Sequence, residues 1–207
     1  HWGHARSKDL VRWEHLPVAL APEGPDDKDG CFSGSAVVDG DTLALIHTGH
    51  KFHGDPGDEA NLYQVQCLAT SRDGIQFVRH GTVIDTPPGL HHFRDPKVWR
   101  EGAWWYMVVG AREGDTGQVR VYRSADLLEW QDRGVLAVAE KELGYMWECP
   151  DYFELDGKKF LSVSPQGLKR EEFRFQNIYQ SGYFPVKEDG SVDERDFREW
   201  DMGFDFY

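Results

Sequence analysis

Two acidic residues stand beside proline at strand-like entries: Asp95 in FRDPKVW (93–99) and Glu148 in WECPDYF (147–153). Two carboxyl groups converging on one aromatic-lined pocket are what glycoside hydrolysis requires. One acid protonates the leaving oxygen, and one carboxylate attacks or stabilises the sugar. Trp147 and Cys149 give Glu148 apolar neighbours, which predicts a raised carboxyl pKa and a proton-donor role. Arg94 adjoins Asp95 and supplies the opposite charge. Either acid alone reads as a solvated turn, whereas two at matched positions read as a site. Cys149 reads as a small apolar neighbour and not as a nucleophile, because no histidine occupies a matching position.

Other reactive side chains converge less well. His47, His50 and His53 recur every three residues in a strand-and-loop stretch, a spacing that does not gather ligands on one strand face. That set also has no cysteine partner, and with His91 and His92 near Asp95 it reads as solvated or substrate-loop residues, so no metal and no cofactor are expected. Lys169, Arg170 and Arg174 in GLKREEFRF read as solvated surface, with contact to a sugar phosphate as the alternative.

The elements that must position the two acids come from an internal repeat. SKDLVRW (7–13), SRDGIQF (71–77) and SADLLEW (124–130) share Ser-x-Asp-x-x-x-aromatic, and their starts lie 64 and then 53 residues apart. AVVDGDTLALIHTG, KVWREGAWWYMVVG and YFELDGKKFLSVSP keep nearly the same step, each reading as strand, glycine turn and strand. A third strand follows in QVQCLAT or QVRVYRS, then the Ser-x-Asp turn and a short edge strand. Four antiparallel strands per unit predict a β-propeller, all-β, with the first strand of each blade lining a central channel. The blade starts are then CFSGSAV, FRDPKVW, WECPDYF and DMGFDFY, which places both acids at the channel mouth. The Ser-x-Asp segments read as side-chain-capped turns.

Bulk composition agrees. The 207 residues suffice for one domain, and eight Trp, eight Tyr and twelve Phe beside 22 Gly favour sheet over helix. Twenty-three basic against 36 acidic residues give a net charge of −13, which argues against nucleic acid and anionic membrane as partners and for a small neutral molecule such as a sugar. No run approaches the ~20 apolar residues of a membrane span. Cys31, Cys67 and Cys149 fit no CxxC spacing, so a reducing, cytoplasmic setting is expected.

FSGSAV, FRDPKVW, WECPDYF and DMGFDFY, in that order, resemble the successive motifs of glycoside hydrolase family 32, the invertases, fructanases and sucrose-6-phosphate hydrolases. HWGHA and SPQG…YQSGY (164–183) resemble its bacterial sucrose and sucrose-6-phosphate branch. The resemblance implies a five-bladed propeller followed by a β-sandwich, and retaining cleavage of a fructosyl bond through a covalent fructosyl-enzyme. It implies that Glu148 is the general acid/base, that Asp95 stabilises the transition state, and that Arg94 helps hold the sugar. Phe32 and Ser33 would contact the fructosyl unit, with Asp205 and Tyr207 of the closing motif as further substrate contacts. Residues 1–207 are then expected to be part of the catalytic propeller, about three full blades and parts of two others, without the sandwich. The family's nucleophile belongs to an Asn-Asp-Pro-Asn-Gly motif that these residues lack, so alone they are expected to be inactive. A related furanosidase acting on arabinan or xylan, and a non-catalytic carbohydrate-binding propeller, are the competing readings. Residue types leave open the choice among sucrose, its 6-phosphate and fructan, and the oligomeric state.

Overall fold

Alternation of buried and exposed side chains along short strands, interrupted by glycine turns, gives antiparallel sheets stacked face to face. The structure is a computed structural model describing residues 1–139, 143–177, 179–203 and 207, with His91 described by its backbone only. A two-stranded sheet pairs β1 (Trp2–Ser7) with β2 (Trp13–Leu20). The first four-stranded sheet is β3 (Gly30–Asp39), β4 (Thr42–Phe52), β5 (Leu62–Ser71) and β6 (Val78–Ile84). The second is β7 (Leu90–Glu101), β8 (Trp104–Glu113), β9 (Thr116–Ser124) and β10 (Trp130–Val138). The third is β11 (Met146–Leu155), β12 (Lys158–Gln166), β13 (Gly182–Pro185) and β14 (Arg198–Glu199). Each is a meander in chain order, as the repeat predicts. Helix among the described residues is confined to two 3-10 turns, Glu59–Asn61 and Glu194–Asp196. No helix is long and apolar enough to cross a membrane. The predicted opening strand DMGFDFY does not appear in 201–203, and its residues 204–206 lie outside the described ones.

The Ser-x-Asp repeats form one turn three times. Ser7, Ser71 and Ser124 accept from the backbone N–H three residues on, and Asp9, Asp73 and Asp126 accept from the N–H groups two and three residues on. These bonds satisfy donors that the tight turn turns away from the ladder. The repeat diverges in burial: Leu127 is 4% exposed, while Leu10, at the same place in the two-stranded sheet, is 78% exposed.

The core lies between successive sheets. Trp105, Met107, Val109 and Ala111 of β8 pack with Ala44, Ile46 and Leu68 of the first sheet. Val108, from the opposite face of the same strand, packs with Trp147, Leu161, Val163 and Phe184 of the third. A strand buried on both faces reads as a continuous apolar run, and WWYMVVGA does. The first strands lie together, β3 against β7 and β7 against β11.

At Gly110 the second sheet's backbone comes close to the third's. A Cβ there would sit 2.1 Å from the carbonyl oxygen of Trp147. Backbone cannot yield as a flexible side chain can. Gly110→Ala is therefore expected to cost at least the ~1–3 kcal/mol of ordinary overpacking, read as a lowered urea midpoint at unchanged slope.

Candidate active site

Each inner strand carries a bulge of two residues against one at the same end. Pairing steps from Cys31 to Gly34 in β3, from Arg94 to Lys97 in β7 and from Glu148 to Asp151 in β11. Phe32-Ser33, Asp95-Pro96 and Cys149-Pro150 are thereby lifted out of the ladder. Asp95 and Cys149 take φ values of 67° and 46°, left-handed conformations that bulges accommodate and that point to a constrained site. The prolines fall where a missing N–H leaves no ladder bond unmade. The register corrects one expectation: Glu148 is the counterpart of Arg94, and Cys149 that of Asp95, so the two acids are offset by one residue.

The bulges open onto a cavity of about 380 Å³ lined by Phe32, Ser33, Arg94, Asp95, Glu148 and Tyr207, six of the seven predicted site residues. Asp205 lies outside the described residues. His50, Gln64 and His92 also line the cavity, and reading the residue types did not select them as a site. The three-residue histidine spacing separates as expected, since His47 turns to a buried cluster while His50 enters the cavity.

Arg94 is the centre of the charge network. Its Nη2 and Nε donate to Oε1 of Glu148 at 2.6 and 3.1 Å, while Nε lies 3.8 Å from Oδ2 of Asp95. Nη1 donates to Nδ1 of His92 at 2.8 Å and to Oε1 of Gln64 at 3.4 Å. The expected partner of Arg94 was Asp95; the fork instead engages Glu148 from the neighbouring sheet. Burial by itself pushes the Glu148 carboxyl up, but the Arg94 charge and the Tyr207 hydroxyl that donates to it outweigh burial, and the net shift is down. This overturns the raised value inferred from Trp147 and Cys149.

Asp95 behaves in the opposite way. Burial raises it above the ordinary carboxylate range, against the pull of the Cys149 N–H, which donates to Oδ2 at 3.0 Å, and of the Arg94 charge. Its own N–H donates to Oγ1 of Thr48, whose hydroxyl donates to Gln66 Oε1, and Gln66 Nε2 donates to the carbonyl of Phe93. Cys149 opens onto the cavity with its sulfur packed among neighbours. That burial, with the charges of Asp95 and Glu148, pushes the thiol up to about 12, so it is no nucleophile near neutrality. Two carboxyl groups from the first strands of neighbouring sheets, one ionised by an arginine and one held up by burial, can divide acid and base roles.

Two other clusters differ in kind. Asp27, Cys31 and His47 meet in the interior with ligand atoms within 4.8 Å of one another, but Arg79 already donates to Oδ2 of Asp27 and supplies the balancing cation. Cys31 also donates to Asp27 at 3.2 Å, and burial pushes its thiol up to about 11. A second cavity, about 610 Å³, is lined by Lys169 and Arg174 together with Glu171, and shares no lining residue with the first.

Comparison with known proteins gives a consistent result. The profile of the glycosyl hydrolases family 32 N-terminal domain matches residues 1–207. Sucrose-6-phosphate hydrolase of Escherichia coli is 50% identical over 211 residues, covering 100% of this chain and 44% of that protein. Sucrose-6-phosphate hydrolase of Bacillus subtilis (strain 168) is 46% identical over 215 residues, again 100% of this chain and 44% of that protein. The solved Bombyx mori GH32 beta-fructofuranosidase superposes with a TM-score of 0.90 at 41% identity, covering 100% of this chain and 45% of that one. The chain thus spans less than half the length of these relatives.

Proposed function

The chain belongs to glycosyl hydrolases family 32, and from that premise we propose that it forms part of a retaining β-fructofuranosidase that cleaves the fructosyl bond of sucrose or sucrose 6-phosphate. Residues 1–207 are read as the portion of a five-bladed catalytic propeller that holds the acid/base and the stabilising acid. Glu148 protonates the leaving hexose oxygen and later activates water, Asp95 hydrogen-bonds fructosyl hydroxyls in the transition state, and Arg94 holds both in register. Phe32 packs on the sugar, with Ser33, Tyr207 and Asp205 as polar contacts. The substrate is a small neutral or singly phosphorylated sugar, and neither nucleic acid nor membrane is part of the reaction. Cytoplasmic residence fits the three unpaired cysteines.

One observation carries this reading: the Arg94 fork bridges from the Asp95 bulge to Glu148 across two sheets, at the wall of an aromatic-edged cavity. Glu148 rests ionised there, so its proton-donor form must be generated on substrate binding, when the sugar displaces solvent and desolvation favours the neutral acid. The test is fructose release from sucrose and from sucrose 6-phosphate by the full-length gene product. Release from either supports the reading, and the larger kcat/KM identifies the preferred substrate. A folded full-length product that releases no fructose from either would remove it.

A further inference from the structure

Phe32 owes its place to two neighbours. Lifted by the β3 bulge, its ring stacks on His50 with centroids 4.2 Å apart and planes 11° from parallel. On another side it fills the space over Gly30, where a Cβ would lie 2.5 Å from Cε1 and 2.8 Å from Cδ1 of the ring. Phe52 meets the His50 ring edge-on at 4.8 Å, which holds the imidazole from the side.

The polar end of His50 is also fixed. Gln64 Oε1 accepts from the Phe93 N–H at 3.0 Å and from Arg94 Nη1, so its amide nitrogen must face the other way. That nitrogen lies 3.3 Å from Nδ1 of His50, which therefore accepts, and the imidazole proton sits on Nε2. One line of contacts thus runs from the Phe32 ring through His50, Gln64 and Arg94 to Glu148.

We propose that His50 is a positioning residue for the fructosyl subsite: its neutral ring holds Phe32 flat against the sugar, and its Nδ1 lone pair ties that aromatic wall to the Arg94 network. The inference rests on the reading of this cavity as a fructosyl site. Protonation would place a hydrogen on Nδ1 against the Gln64 amide hydrogens and break the tie, so acid weakens sugar binding. The groups facing His50 are Asp29, whose charge favours protonation, and Arg94, whose charge opposes it; burial also opposes it.

The experiment measures KM and kcat for sucrose across pH, and fructose Kd by calorimetry, on the full-length gene product with His50→Ala, His50→Phe and Gly30→Ala. His50→Ala and Gly30→Ala are each expected to raise KM and Kd about tenfold, the upper range for an aromatic pair, with kcat little changed. His50→Phe restores the stack but not the Nδ1 acceptor, so its KM is expected to stand at the parent's raised acid level already at neutral pH and to rise less than the parent's as the pH falls. Circular dichroism and melting curves establish that each variant is folded. An unchanged KM and Kd in folded His50→Ala, or an acid rise in His50→Phe as large as the parent's, would overturn the proposal; a smaller residual rise is the part due to Asp95. If His50→Ala does not fold, the other two variants decide. A parent that binds fructose without cleaving sucrose, with binding weakened by His50→Ala, would sustain this proposal and defeat the hydrolase reading. A parent that neither binds nor cleaves would defeat both.

Discussion

Glu148→Gln is expected to lower kcat/KM for sucrose by about 10²–10⁴-fold, the usual contribution of a general acid to a poor leaving group. The substitution is close to isosteric. A glutamine carbonyl still accepts from the Arg94 fork, which now donates to Oε1 at 2.6 and 3.1 Å, and the amide can face the Tyr207 hydroxyl. Structure should therefore survive while the proton is lost. Steady-state kinetics on the full-length gene product provide the measurement, with a melting curve alongside. A variant within about threefold of the parent would exclude Glu148 as the proton donor, because a general acid typically contributes about 10²–10⁴-fold.

Arg94→Leu is expected to act on both stability and pH profile. Arg94 and Glu148 have side chains only 8% and 14% exposed, so removing the cation leaves a carboxylate in a site built for a pair. Breaking a buried pair in this way costs about 3–5 kcal/mol. The sign with pH follows from Glu148. In the parent its folded pKa is depressed, so its stabilising contribution is present above the unfolded value of ~4.3 and is lost as pH falls through the lower folded value. In Arg94→Leu burial dominates and the folded pKa rises above the unfolded one. The variant should then be least destabilised in acid and lose stability as pH rises through that raised value. Urea melts at pH 5 and pH 8 test this, with the larger deficit expected at pH 8. The alkaline limb of kcat/KM should also move to higher pH, because the acid form of Glu148 persists further. An equal deficit at both pH values would mean that Arg94 acts through packing alone.

The sheets are legible in the sequence because their signals are local. Ser-x-Asp turns, glycine hairpins and the apolar run of β8 each lie within a dozen residues, and each formed as read. The acids and the arginine were legible because proline and charge at strand entries are conspicuous, Phe32 and Ser33 only through the resemblance of FSGS to a family motif, and all of them converge on one cavity. Their mutual electrostatics were not. Which carboxylate Arg94 engages depends on a one-residue offset between two bulges, and no pattern within either strand carries it. Trp147 looked like the apolar wall of Glu148, yet its ring turns into the inter-sheet core against Phe184, so it leaves Arg94 and Tyr207 to set the carboxyl's charge. Gln64, Gln66 and Thr48 were hidden for a related reason. They are buried polar residues within apolar strands, and only the neighbouring sheet brings the Phe93 and Asp95 backbone groups that pair with them.

The most direct test of Glu148 as the proton donor compares two leaving groups. Sucrose loses glucose through an alkoxide-like oxygen that needs protonation, whereas an aryl β-fructofuranoside releases a phenolate that does not. kcat/KM reports the steps through formation of the fructosyl-enzyme, so later base catalysis does not enter. In the full-length gene product, Glu148→Gln is expected to lose about 10²–10⁴-fold on sucrose and less than about tenfold on the aryl substrate. Equal losses on both substrates would contradict proton donation by Glu148 and assign it to binding instead.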